Sequence, residues 1–104
     1  MDPEEYNQAF KMIASAGNAK SSSLMAIREA REGNFDAAEE LLKAADEDLH
    51  DAHRMQTEML TEEARGNSVK LNIILIHAQD HLSGAILARD FAEEFIALYR
   101  KLDF

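Results

Sequence analysis

The chain has 104 residues, which is the size of one domain and small for burying a core by itself. Its formal net charge is −9, and an acidic chain without clustered Lys or Arg is a poor ligand for nucleic acid. It contains no Cys, which excludes disulfides and thiol chemistry. We therefore expect a single domain over residues 1–104 that does not bind nucleic acid.

Targeting signals are not evident in the sequence. The N-terminus reads Met1-Asp2-Pro3-Glu4-Glu5, which lacks the basic-then-apolar order of a signal peptide. No run of residues approaches the ~18 apolar positions of a membrane helix. The longest candidate, residues 71–76, is interrupted by Asn72. We expect a cytoplasmic protein that does not insert into the membrane.

The first predicted helix begins at Asp2 as its cap, with Pro3 in its first turn. Gly33 is suited to the left-handed residue that follows a helix, and Asn34 to the cap of the next one. Residues 15–23 have low helix propensity, but the apolar phase resumes at Leu24, so we expect one continuous helix. Its apolar positions recur mostly at three- and four-residue intervals: Tyr6, Phe10, Ile13, Gly17, Leu24 and Ile27.

Two further helices follow, each of about 30 residues. The second ends near Gly66-Asn67, and Ser68 is expected to cap the third. Short connections between long helices predict an all-α, antiparallel up-down-up three-helix bundle. The second helix has its periodic positions at Phe35, Ala38, Leu42, Ala45, Leu49, Ala52, Gln56 and Met59, and the third at Leu75, Ala78, Leu82, Ala85, Ala92, Ile96 and Tyr99.

The third helix has more apolar surface than a three-helix monomer needs. Residues 73–76 are four consecutive apolar residues, and at ~100° per residue they cover nearly the whole circumference. We therefore expect one side of this helix to lie against another subunit. That side carries a second stripe: Ile73, Ile76, Asp80, Ser83, Gly84, Leu87 and Phe91.

Asp80 is the one charged residue in this second stripe. A carboxylate in such surroundings is costly unless it is paired, protonated or bound to a metal. If copies of the helix meet at a symmetry axis, their Asp80 carboxylates converge and favour a hard cation such as Mg²⁺. The alternative is that Asp80 lies at a wet helix edge without a ligand.

The chemistry that remains possible centres on four histidines: His50, His53, His77 and His81. His77 follows the densest apolar run, and Asp80 and His81 lie one turn further on. Three functions fit this pattern: phosphorylation of His77, a metal-binding helical bundle, or a helical interaction module without chemistry. In the metal-binding alternative His77 and His81 are the ligands, and Glu47-x-x-His50 resembles a di-iron element that normally occurs twice.

The segment around the predicted site reads Ile76-His77-Ala78-Gln79-Asp80-His81-Leu82. It resembles the active-site segment of a family of bacterial proteins, the enzyme IIA components of the lactose/cellobiose (chitobiose) class of sugar phosphotransferase systems. The resemblance covers nearly the whole chain. Other matching stretches, in order, are Ala16-Gly17-Asn18-Ala19-Lys20, Gly33-Asn34-Phe35, Ala52-His53, Gln56-Thr57, Met59-Leu60 and Leu98-Tyr99.

This resemblance implies a homotrimer of three-helix subunits, forming a nine-helix bundle. It implies that His77 accepts a phosphoryl group from phospho-HPr and donates it to a cysteine of the cognate IIB component, for uptake of a disaccharide through a membrane IIC permease. It also implies one structural Mg²⁺ per trimer, shared by three Asp80 carboxylates. His81, His53 and Gln56 are the candidates for the groups around the phosphohistidine.

Two features of the sequence qualify the resemblance. Members of the family usually have Met-Thr after the His-Leu pair, whereas this chain has Ser83-Gly84. Ala78 is more similar to the cellobiose and chitobiose members than to the lactose members, which favours β-linked glucose or glucosamine disaccharides over lactose.

Overall fold

A computed structural model describes residues 3–103. Three helices make up this range: α1 (Pro3–Arg31), α2 (Phe35–Ala64) and α3 (Ile73–Leu102). They form an elongated antiparallel bundle with extents of 56 × 22 × 18 Å, which confirms the predicted fold class. In this part of the chain no helix combines the length and the apolarity that crossing a membrane requires. The predicted cap, Asp2, lies outside the described residues.

Both turns after a helix are built around a glycine, as predicted. Gly33 has φ 82° and Gly66 has φ 89°, a conformation that costs other residues steric strain. Around Gly33 the backbone N–H groups of residues 33 and 34 donate to the carbonyls of residues 30 and 29, at 3.0 and 2.8 Å. The same pattern recurs around Gly66. These paired bonds satisfy the last carbonyls of α1 and α2.

The predicted caps of α2 and α3 need correction. Asn34 occupies the cap position of α2, but its side chain makes no capping bond and donates instead to the Glu29 carboxylate at 2.9 Å. Ser68 does not cap α3, because residues 67–72 are not helical. The cap is Asn72, whose side chain accepts from the Leu75 N–H at 2.9 Å. Asn is as good a cap as Ser and directly precedes the apolar run.

The single continuous helix α1 is as predicted, but the apolar positions whose spacing indicated it do not form its core face. Tyr6, Phe10 and Leu24 are exposed, and Ile13 is half-buried. Small residues face the interior because α1 packs against both α2 and α3, and short side chains let helix axes approach closely. The buried residues of α1 are Ala9, Met12, Ala16, Ala19, Ser23, Ala26 and Ala30.

Buried Ser23 is satisfied within its own helix, since its hydroxyl donates to the Ala19 carbonyl at 2.7 Å. On α2 and α3 the periodic positions identified in the sequence are buried or half-buried. The interior divides into two clusters along the bundle. One includes Met12 and Leu82 at the end where α3 begins, and the other includes Leu42 and Ile96 at the far end.

Helices α2 and α3 touch each other along a narrower seam than either shares with α1. Polar contacts at several levels bridge this seam. Gln56 donates to Gln79 at 2.6 Å, Arg89 donates to Asp46 at 2.6 Å, and Arg100 donates to Glu39 at 3.2 Å. The hydrogen bond with Asp46 raises the pKa of Arg89 above its ordinary value. These contacts fix which side of α3 faces α2.

Candidate functional site

His77 lies in the second turn of α3 with its side chain exposed. The Asn72 cap fixes where the helix begins, and the next residue, Ala78, is fully buried. Together they set the rotation of α3 about its axis, which points position 77 outward. The sequence-predicted phosphoryl acceptor is therefore accessible to a partner.

His81 is the one predicted neighbour that the fold brings to His77. The two ring centroids are 4.4 Å apart, with an angle of 74° between the ring planes. This edge-to-face contact is a favoured geometry for aromatic rings. His81 is half-buried, so its ring has less freedom to move than the exposed His77 ring that contacts it.

Asp80 is exposed on the outward side of α3, and within residues 3–103 it forms no ion pair. Large apolar side chains surround its position along the helix: Ile73 is 77% exposed and Phe91 is 54% exposed. The whole second stripe predicted from the sequence is exposed in the single chain. The stripe extends beyond the prediction, through Leu98 and Leu102 near the end of α3.

His53 and Gln56 lie on α2 and are not brought to His77 within one chain. His53 is exposed, and the Gln56 amide donates to Gln79. Gln79 follows His77 by two residues, so the two side chains point about 160° apart around α3. His77 therefore lies on the flank of α3 away from α2.

Gln79 is a residue of this region that sequence reasoning did not single out. It accepts from Gln56 and lies 3.9 Å from the Met59 sulfur through its amide nitrogen. The sequence does contain two side-chain amides that can bond to each other, Gln56 in α2 and Gln79 in α3. Periodicity did not link them, because it does not fix the rotation of one helix against another.

Within the described residues, the di-iron element Glu47-x-x-His50 does not belong to a cluster of metal ligands. Both residues are exposed. Across residues 3–103 no three or more His, Cys, Asp or Glu side chains are grouped so as to hold a metal ion. A metal-binding bundle formed by one chain is therefore not favoured.

Comparison with known proteins identifies the class. The family model described as "PTS system, Lactose/Cellobiose specific IIA subunit" matches residues 7–100. The chain thus belongs to the lactose/cellobiose-specific IIA family of sugar phosphotransferase systems, and it is a phosphotransferase component of that class. An interaction module without chemistry is not favoured.

Individual relatives agree with this assignment. The lactose-specific EIIA component of Streptococcus mutans is 44% identical over 92 residues, which is 88% of each chain. The crystal structure of the cellobiose-specific enzyme IIA from Bacillus anthracis has a TM-score of 0.91 and 41% identity, covering 98% of this chain and 93% of that one.

A third comparison is with the Escherichia coli IIA(chitobiose)–HPr complex, solved in solution. Its matching chain has a TM-score of 0.79 and 32% identity, with 98% of this chain and 97% of that one covered.

Proposed function

We propose that His77 carries the phosphoryl group, accepting it from phospho-HPr and donating it to a cysteine of the cognate IIB component, which serves a membrane IIC permease. The observation that carries this proposal is an exposed imidazole on a fixed helical turn, with the half-buried His81 ring against it. The structure of a relative in complex with HPr supports the choice of donor.

The transfer needs no nucleotide, because the donor is itself a phosphohistidine. An unprotonated His77 nitrogen attacks phosphorus in line with the donor nitrogen, so that one N–P bond forms as the other breaks. The helix and the His81 ring restrict the His77 imidazole, and such positioning supplies much of the rate. In the second step the IIB thiolate attacks phosphorus and His77 leaves as imidazole.

The proposed assembly is a homotrimer in which the outward face of α3 is buried. Large apolar residues along a whole helix, such as Ile73, Leu87 and Phe91, are typical of a permanent subunit interface. In a ring of three copies, one flank of each α3 meets the opposite flank of the next. His53 and Gln56 on the α2 side of one copy then approach His77 of its neighbour.

Asp80 is proposed to hold one structural Mg²⁺ per trimer. The residue fits this role because it offers a hard oxygen ligand, exposed on the face that three copies would share. The cation would relieve the repulsion between the three carboxylates and take no part in the transfer.

We place the protein in the cytoplasm, where it would serve uptake of a disaccharide. Ala78 favours a cellobiose- or chitobiose-like sugar over lactose. The IIA component does not itself contact the sugar, so this preference has to be tested with the cognate IIB and IIC components.

The central test is phosphorylation of the purified protein by phosphoenolpyruvate, enzyme I and HPr. Intact mass spectrometry should show one acid-labile phosphoryl group on the wild type and none on His77→Ala. His50→Ala is the matched control, because His50 is an exposed histidine on α2, and it should be labelled like the wild type. An unlabelled wild type, or a fully labelled His77→Ala, would refute the proposal.

A further inference from the structure

His77 and His81 form a pair of imidazoles on one turn of α3. Their ring centroids are 4.4 Å apart, with an angle of 74° between the ring planes. Histidines four residues apart point to the same side of a helix, and this spacing is one by which proteins bind Zn²⁺ through two imidazoles. Restricting the His77 ring needs a neighbouring side chain but not a second imidazole in particular, so the pair has a chemical capacity beyond the transfer.

The separation of the two rings is close to that of a metal chelate. Zn²⁺ binds an imidazole nitrogen at about 2.0–2.1 Å, so the ion lies about 3 Å from each ring centroid. Two imidazoles bound to one tetrahedral ion therefore have centroids about 5 Å apart, compared with 4.4 Å between His77 and His81. Because His77 is exposed, its ring has room for the small rotation that aims both side chains at one ion.

Imidazole nitrogens select the kind of cation that binds. They are good ligands for Zn²⁺, Ni²⁺ and Cu²⁺ and poor ones for Mg²⁺, which prefers oxygen. Asp80, by contrast, offers oxygen to Mg²⁺, so the two proposed sites take different ions although they are neighbours on α3. The net charge of −9 attracts cations of either kind to the protein.

The pair is suited to reversible binding rather than to a resident metal. A resident zinc has three or four protein ligands, and residues 3–103 contain no group of three or more His, Cys, Asp or Glu side chains arranged to hold a metal ion. Two imidazoles replace two water molecules of a hydrated ion, and water keeps the remaining positions. An ion held in this way exchanges with the solvent, as an effector does.

Metal binding and phosphoryl transfer compete for the same lone pair of His77. A neutral imidazole has one nitrogen that accepts and one that carries hydrogen. The metal ion occupies the accepting nitrogen, and the attack on phosphorus needs it. Since His77 has to stay open to its phosphoryl donor in the assembled protein, a hydrated ion, which is much smaller, reaches it as well.

We propose that His77 and His81 chelate a divalent transition metal ion, Zn²⁺ or one of similar chemistry, and that this ion reversibly inhibits phosphorylation of His77. The inhibition rests on the proposed function, which makes His77 the phosphoryl acceptor, whereas the chelation does not. Phosphorylation in turn excludes the ion, because the lone pair is then bonded to phosphorus.

Isothermal titration calorimetry with zinc chloride measures the chelation, in a buffer with excess Mg²⁺ to occupy oxygen sites. The dissociation constant for Zn²⁺ should rise at least about tenfold in both His77→Ala and His81→Gln, since each removes one of the two protein ligands. His50→Ala removes an exposed histidine of α2 and should change the constant less than twofold.

The rate of labelling by preformed phospho-HPr, with and without Zn²⁺, measures the inhibition. At about ten times the dissociation constant of Zn²⁺, the wild-type rate constant should fall about tenfold by mass action, and a chelator should restore it. The same concentration of Mg²⁺ should not inhibit. The rate constant of His81→Gln, divided by its own metal-free value so that a slower transfer does not matter, should change less than twofold. This variant also shows whether Zn²⁺ acts on HPr instead.

Equal dissociation constants for the wild type and for both folded variants, His77→Ala and His81→Gln, would overturn the chelation. A loss of binding in His50→Ala would place the ion on α2 and overturn it as well. Chelation without slower labelling would overturn the inhibition. A wild type that phospho-HPr does not label in the absence of Zn²⁺ would instead refute the proposed function, while calorimetry still decides the chelation, so the two failures are distinguishable.

Discussion

The side chain of Asn72 determines where α3 begins, five residues before His77. Its carboxamide oxygen accepts from the Leu75 N–H and so satisfies a donor that the helix leaves unpaired. Asn72→Ala should lower the free energy of unfolding by about 1 kcal/mol, whereas Asn72→Asp should retain most of it. Urea denaturation followed by circular dichroism measures this difference.

Ser68 provides the matched control for the cap of α3. It is exposed in the connection between α2 and α3, so Ser68→Ala should leave stability unchanged within about 0.5 kcal/mol. If Ser68→Ala costs as much as Asn72→Ala, the helix begins earlier than described and His77 has a different neighbourhood.

At the scale of single helices, α1 depends on alanine rather than on large apolar side chains. Ala16 is fully buried on the face that packs against α2 and α3. Ala16→Leu should therefore destabilise the protein by about 1–3 kcal/mol through overpacking. The same change at an exposed alanine of this helix, Ala14→Leu, should alter stability by less than about 0.5 kcal/mol. Thermal denaturation of the two variants separates these expectations.

The number of the helices and the ends of α1 and α2 could be predicted because local chemistry fixes them, whereas the start of α3 was predicted too early. Gly33 and Gly66 adopt the left-handed conformation that few other residues tolerate. The core face of α1 could not be predicted from apolar spacing, because Ala16 and Ala19 are buried while Phe10 is exposed. How far a side chain is buried depends on how many helices pack against it, and the sequence of one helix does not contain that information.

The candidate site likewise contains contacts that the sequence predicts and contacts that it does not. The pairing of His77 with His81 follows from their spacing of one helical turn, so the sequence alone could predict it. The pairing of Gln56 with Gln79 joins α2 to α3 and depends on how each helix is rotated in the bundle. The position of His53 relative to His77 depends on a second copy of the chain, and a single subunit does not determine it.

The shape of the whole molecule favours assembly. The bundle is 56 Å long and 18 Å across at its narrowest, so it has a large surface for the core it encloses. Its outward α3 face carries Ile73, Leu87 and Phe91, each more than half exposed. A subunit contact through this face is favourable for an acidic chain, because the face carries few charges that would repel each other. Asp80 is the exception, and the assembly has to accommodate its carboxylate.

Asp80→Leu tests how the proposed trimer accommodates its three carboxylates. In the wild type, Mg²⁺ should raise the melting temperature and a chelator should lower it, because the cation screens the converging charges. In Asp80→Leu those charges are replaced by apolar packing, so the trimer should persist and its melting temperature should not depend on Mg²⁺. Asp90→Leu changes another exposed carboxylate of α3 and should retain the dependence on Mg²⁺. Dissociation of Asp80→Leu in size-exclusion chromatography with light scattering would contradict this account, since it would mean that the carboxylates hold the subunits together.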